Sequence, residues 1–303
     1  MATACAMRPI RPERGVTLIE LVVAIVIVGI VVAVVVFFLN PLRQSTDLAL
    51  RAELTDIADN ALQRIGRDVK LALPNSVRVD STTVPGVAFL EFIAVRTAGR
   101  YRADGGGPTI GGENCATDGS GVPDSDQLVF DAPDTCFTTL GKLPDAVAAG
   151  SDQLVLNNYG FPDQNAYQTA PALNRAVVSS VDTSEAGRDR VGFASTTFQR
   201  ALHDSPGKRF FVISGPVTYE CDTLSGRIRR HAGYALAATQ PTAFGGAPAL
   251  IAEQVSACEF VYSADVSPQL GLLTLRVRLQ RALSGGAVET VSLYHAVHVN
   301  NAP

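Results

Sequence analysis

Hydrophobic and polar positions follow one another along this chain in three successive regimes. From Leu21 to Leu39 there are nineteen residues without a charge, LVVAIVIVGIVVAVVVFFL. Such a run is apolar on every face of a helix. At 1.5 Å per residue it spans roughly 28 Å, about one bilayer hydrocarbon core. Valine and isoleucine dominate it, yet lipid enforces the helix, because an open segment in hydrocarbon satisfies its backbone groups no other way. Asn40-Pro41 then interrupts the pattern. Proline lacks a helical donor and disfavours helix in the residue before it, so a kink or a locally melted turn is predicted there. Beyond it the period becomes three to four: Leu50, Leu54, Ile57, Ala61, Ile65 and Val69 form one stripe, and Arg51, Glu53, Asp56, Asp59, Arg64, Arg67 and Asp68 fill other positions. This predicts an amphipathic helix that stops before Pro74 and needs a sheet to cover its stripe.

The third regime supplies that sheet. VAFLEFIAV (87–95), DQLVF (126–130), DQLVL (152–156), RFFVIS (209–214) and VTYEC (217–221) stand between Gly, Pro and Asp punctuation and are predicted as strands. Leu273, Leu275, Val277 and Leu279 alternate with Thr274, Arg276, Arg278 and Gln280, the pattern of a half-buried strand. Ser284-Gly285-Gly286 turns the chain into a second, antiparallel strand carrying Val291, Leu293, Val297 and Val299. The predicted fold is α+β. A long N-terminal α-helix has a membrane-spanning first half (16–39) and an amphipathic second half (40–73), which packs on an antiparallel, β-rich globular domain (74–303). SDQLV occurs at 125–129 and again at 151–155, too short a match to establish an internal repeat. Residues 103–126 are polar and rich in Gly and Asp, the expected flexible surface loop.

Charge fixes an orientation and excludes one class of partner. Arg8, Arg11 and Arg14 precede the apolar run and only Glu13 opposes them, so the N-terminus is expected in the cytoplasm and the domain in the periplasm. The formal net charge is −4, and removing residues 1–15, with three arginines and one glutamate, leaves −6. A mildly acidic domain is no general polyanion binder, and nucleic acid is not expected as a partner. Translation is expected to start at Met1 or at Met7, which opens a conventional short basic leader.

The junction at Gly15 carries the functional signal. A secretory signal places its apolar run before the cut, so that the anchor is discarded. Here Gly15-Val16-Thr17-Leu18-Ile19-Glu20 places the cut first and the apolar run after it. These six residues resemble the type III signal of the type IV prepilins and pseudopilins, with Val16 where that family usually has phenylalanine. The resemblance implies a leader, 1–15, removed by prepilin peptidase. It implies N-methylation of Val16 and assembly through Thr17, Leu18, Ile19 and Glu20, the acid neutralising a neighbour's N-terminal amine. An acid in a membrane segment costs about 2.5–3.5 kcal/mol at its centre and usually has a function. Relatives at the extreme filament tip often lack it, so its presence suggests a subunit with a neighbour to hold.

Residues 51–79 and 255–303, including VSACEFVY and GLLTLRVRLQ, are similar to the large minor pilins of mannose-sensitive haemagglutinin pili. That resemblance implies a subunit that initiates or caps assembly. Its partners would be prepilin peptidase, other minor pilins, the major pilin and the inner-membrane assembly platform, with the inner membrane as host before assembly. Two rivals remain: a tip-displayed adhesin, with 103–126 as its best support, and a type II secretion minor pseudopilin of the J type.

Four cysteines follow the junction, an even number that suggests two disulfides with three possible connectivities. Cys221–Cys258, joining two apparent strands, and Cys115–Cys136, closing a glycine-rich loop, are the favoured pairs; free buried thiols are the alternative. No cysteine has metal-ligand spacing. Asp118, Asp124 and Asp126 are the weak calcium candidates, yet they match no calcium-loop spacing and are better read as solvated turn acids. Arg227, Arg229, Arg230 and His231 make one basic cluster, read as a solvated hairpin edge. His295 and His298 lie three apart on a strand, on opposite faces, and cannot share a metal. The glycine runs match no dinucleotide or phosphate loop. No enzyme and no cofactor is expected.

Overall fold

The computed structural model describes residues 15–102, 127–168, 174–184, 186–267, 269–283 and 286–303. The chain divides into two compact units, Met1–Ala52 and Glu53–Pro303. One helix, α1 (Leu18–Lys70), runs from the first into the second. It passes through Asn40-Pro41 without a break, so the predicted melted turn is absent. Proline removes a single N–H donor, and the helical bonds on either side carry the backbone across.

Within the second unit α1 has one face to bury. Leu54, Ala58, Ala61, Leu62, Ile65 and Val69 are buried there, the predicted stripe widened by Ala58 and Leu62. They share a core with Leu90, Phe92, Val217, Tyr219 and Ile228 and with Leu273, Leu275, Val277 and Leu279. The strands are β1 (Arg78–Asp80), β2 (Val87–Arg100), β3 (Pro133–Thr138), β4 (Gln153–Leu156), β5 (Arg175–Asp182), β6 (Arg190–Thr197) and β7 (Arg209–Asp222). They are followed by β8 (Arg227–Ala232), β9 (Ala249–Glu253), β10 (Val255–Ser267), β11 (Leu270–Ala282) and β12 (Val288–Asn300). Nine of them form one antiparallel sheet, in the order β1-β2-β7-β4-β5-β6-β3, with β8 beside β7 and β9 beside β8; β10, β11 and β12 form a second. The α+β architecture is therefore observed, with the sheet divided in two.

The long strands β2 and β7 serve two cores. Their register slips between Ala94 and Thr97, and Gly215 takes φ +119°, a conformation that suits glycine. On one side of this irregularity Leu90, Phe92, Val217 and Tyr219 face α1; on the other Phe210 and Val212 join Tyr101, Phe137, Phe193 and Phe198 in a second, aromatic core. RFFVIS and VTYEC, predicted as two strands, are thus one strand with a kink. Residues 127–130, predicted as a strand, are irregular. The Asp134 carboxylate accepts the Val129 N–H at 2.8 Å, which removes a donor from any ladder, while Leu128 and Phe130 are still buried. The β11–β12 hairpin is as predicted: thirteen consecutive residue pairs run from Leu270↔Asn300 to Ala282↔Val288 without a slip.

Two local features fix the helix and the sheets together. Gly66 faces β12 so closely that a Cβ there would lie 3.0 Å from His295 Nε2 and 3.2 Å from Val297 Cγ2. Replacing Gly66 with leucine is expected to cost about 1–3 kcal/mol by overpacking, measured as a lowered thermal midpoint of the detergent-solubilised chain; an unchanged midpoint would refute the close fit. The second feature is covalent. A disulfide joins Cys221 on β7 to Cys258 on β10, linking the two sheets across 37 residues of sequence. By the chain-entropy relation, closing a loop of that length contributes about 4 kcal/mol. Replacing both cysteines by alanine is therefore expected to lower the midpoint by about 10 °C. A shift under about 2 °C would show that packing alone holds the sheets.

Candidate processing and assembly site

Gly15, Val16 and Thr17 are exposed and non-helical, and the helix begins at Leu18. Thr17 makes that start. Its Oγ1 accepts the Glu20 N–H at 3.3 Å, which satisfies one of the donors otherwise orphaned in the first turn, and its carbonyl accepts the Leu21 N–H at 3.1 Å as the first bond of the helix. Thr17-Leu18-Ile19-Glu20 has the spacing of a capping box, a role for Thr17 that the sequence pattern already held and that was missed. Glu20 also lies in the first turn, where the positive end of the helix dipole favours a carboxylate.

Gly15 is informative for what it does not touch. A Cβ placed there would meet nothing within 4 Å, and its φ is outside the range that requires glycine. Among the described residues nothing calls for glycine at this position. Gly15 and Val16 are both exposed ahead of the first helical turn.

The helix that follows has the length and composition to cross a membrane over Leu18–Phe37, and none of that stretch is buried within the chain. Leu18, Ile19, Ile25, Val28 and Ile30 are all more than half exposed. An apolar surface of this size requires lipid or other apolar helices around it. Glu20 is exposed within it, and among the described residues its carboxylate has no hydrogen-bonding or ionic partner.

Residues 10–36 match the family model for the prokaryotic N-terminal methylation motif. The chain carries a prepilin-type N-terminus. No curated protein and no solved structure matches it. The prepilin motif supports a type IV pilin or pseudopilin subunit, processed at its N-terminus by a prepilin peptidase and assembled into a filament. The motif and the apolar helix together fit anchoring in a membrane by the N-terminus.

The remaining candidates of the prepilin-like chain separate clearly. Cys136, on β3, is disulfide-bonded; Cys115, its expected partner, lies outside the described residues. So do the loop 103–126 and Asp118, Asp124 and Asp126. No group of metal-ligating side chains occurs among the described residues.

The basic cluster lies on β8, an interior strand between β7 and β9, which corrects the reading of a solvated hairpin edge. Arg227 pairs with Glu253 at 3.2 Å, Arg229 with Glu220 at 3.2 Å, and Arg230 with Asp68 of α1 at 2.8 Å. His231 Nε2 meets Glu220 Oε2. These cations tie the sheet to itself and to the helix rather than wait for an acidic ligand. His295 is half-buried against Gly66 and His298 is exposed, on opposite faces of β12. Glu91, wholly buried on β2, accepts from Arg78 Nε at 2.6 Å and Tyr234 Oη at 3.0 Å, and burial raises its pKa. Arg78 also donates to the carbonyls of Ala237 and Ala238, so this buried network pins the segment after β8.

Proposed function

We propose that this chain is a minor type IV pilin of the mannose-sensitive haemagglutinin kind, a counterpart of the biogenesis protein MshO, acting in the initiation of filament assembly. One observation supports the pilin part of this reading: an exposed Gly15–Val16 bond stands directly ahead of a capped, uncovered apolar helix with Glu20 in its first turn; the mannose-sensitive haemagglutinin part rests on the resemblance of residues 51–79 and 255–303. In this account the precursor sits in the inner membrane with residues 1–15 in the cytoplasm and the β-rich domain in the periplasm. Prepilin peptidase cuts after Gly15 and Val16 is methylated. The 16–39 helix then leaves lipid for a bundle of like helices, a move that keeps its apolar surface covered throughout. Glu20 neutralises the N-terminal amine of a neighbour in that bundle. The globular domain meets other minor pilins, and the assembly platform draws the group outward with the major pilin.

The test is a count of surface pili on cells lacking the chain, beside complemented cells. Pili that vanish and return on complementation support initiation. Normal pili on cells that no longer attach would replace this reading with a tip adhesin. Normal pili with lost protein export would replace it with a secretion pseudopilin of the J type.

A further inference from the structure

Strand β7 changes neighbours part-way along one of its edges. β4 pairs with it up to Gln153↔Ile213, and β8 takes over at Val217↔Ala232. Among the described residues Ser214, Gly215 and Pro216, which lie between, have no strand on that side, while β2 runs along the other. Gly215 turns the strand there with its φ of +119°, and Pro216 has no N–H to offer a ladder. A gap is left between β4 and β8. In it lies an open cleft of about 390 Å³, within the size range of small-ligand sites.

The lining divides by chemistry. Ser151, Gln153 and Arg175 come from the starts of β4 and β5, and Pro216, Tyr234 and Leu236 from the β7 kink and the segment after β8. The Tyr234 hydroxyl is already engaged with Thr218 and Glu91, which leaves its ring. Arg175 is half-buried; its Nη1 donates to Gln153 Oε1 and its Nη2 to the Gln168 carbonyl at 2.8 Å. Neither acceptor is charged, and no carboxylate partners Arg175 among the described residues. Its Nε–H is covered and also lacks an acceptor there. Burial lowers the pKa of this guanidinium, which nevertheless stays charged at any ordinary pH. Asp152, the acid beside Gln153, is already held by Arg96 at 2.6 Å and by the Ala148 N–H at 2.7 Å. Arg175 thus differs from the arginines of β8, each of which has its carboxylate.

We propose that this cleft binds a small hydroxylated carboxylate of the uronic-acid class, with Arg175 holding the carboxylate. One uncompensated charge on the protein calls for one on the ligand, and a planar guanidinium with N–H donors to spare suits a carboxylate. The rest of the lining calls for hydroxyls. Gln153 gives its carbonyl to Arg175 and keeps its amide N–H donors; Ser151 donates to the Ala148 carbonyl at 3.1 Å and keeps its acceptor lone pairs. A hydroxyl satisfies both kinds of group, whereas hydrocarbon would leave them desolvated and unpaired. Pro216 and Leu236 cover the apolar face of the sugar ring.

The experiment titrates the full-length chain in detergent with sodium D-glucuronate by calorimetry, beside D-glucose, at equal ionic strength. Glucuronate is expected to saturate with a Kd of about 1 mM, the scale that ordinary ligand efficiency gives about thirteen non-hydrogen atoms. Glucose, which lacks the carboxylate, is expected to bind at least ten-fold more weakly. Arg175→Gln is expected to weaken glucuronate binding at least ten-fold. Because that change also alters two hydrogen bonds of the domain, a second pair of variants uses Ala235, exposed on the cleft wall. Ala235→Glu places a competing negative charge in the cleft and is expected to weaken glucuronate at least ten-fold relative to Ala235→Gln, with equal thermal midpoints. The proposal is overturned if glucuronate does not bind, if glucose binds as well, or if Ala235→Glu and Ala235→Gln bind glucuronate alike.

Discussion

Replacing Glu20 with alanine is expected to leave a chain that enters the membrane and is cut normally, yet supports at least ten-fold fewer filaments. The mature N-terminus at Val16 is four residues from Glu20 in sequence and lies just ahead of the first helical turn, which holds that acid. In lipid each of these charges lies near the headgroups and can reach water. In a filament both are carried into an apolar bundle, where an unpaired charge costs several kcal/mol unless it is matched. An intramembrane charge costs about 2.5–3.5 kcal/mol, which corresponds to roughly a 100-fold change in an equilibrium. Removing the acid leaves the amine unmatched in the assembled state alone, so insertion and cleavage are spared while incorporation is not. Glu20→Gln keeps the shape and loses the charge, and is expected to fail as alanine does. Electron-microscopic counts of pili, beside a blot for mature chain, read both parts. Wild-type numbers of filaments on Glu20→Ala cells would remove the pairing role.

The second large effect is expected at Gly15. Leucine there should leave the precursor uncut, longer by fifteen residues on a gel, and incorporated into no filament. Among the described residues none packs where a Cβ on Gly15 would lie, and nothing meets it within 4 Å, so the domain, the disulfide and the helix should be unchanged. A defect confined to maturation would then arise at the enzyme that reads the junction. The two substitutions differ in a measurable way: Gly15→Leu stops before the cut and Glu20→Ala after it. Normal maturation of Gly15→Leu would refute the cleavage assignment.

Much of this was legible in the residues because it depends on neighbours in sequence. The apolar run, the stripe from Leu54 to Val69, and the β11–β12 alternation each carry their period within one element, and the structure follows them. What was not legible depends on distant partners. Val129 is drawn out of a ladder by Asp134, β7 is kept as one strand through Gly215, and β8 is placed between β7 and β9. None of these follows from local periodicity. The division into two sheets and two cores has the same origin, since the slip between Ala94 and Thr97 is a property of the β2–β7 pair and not of either strand alone. At the junction, the motif identified Gly15, Val16 and Glu20 as a unit. The structure added the cap made by Thr17 and the freedom of Gly15, both geometric facts.

The most direct test of the central claim is the intact mass and N-terminal sequence of the chain isolated from membranes and from sheared filaments. The account predicts a chain that begins at N-methylated Val16, has lost residues 1–15 and keeps the whole apolar helix. A chain that still carries its leader, or one cut after Leu39, would contradict it.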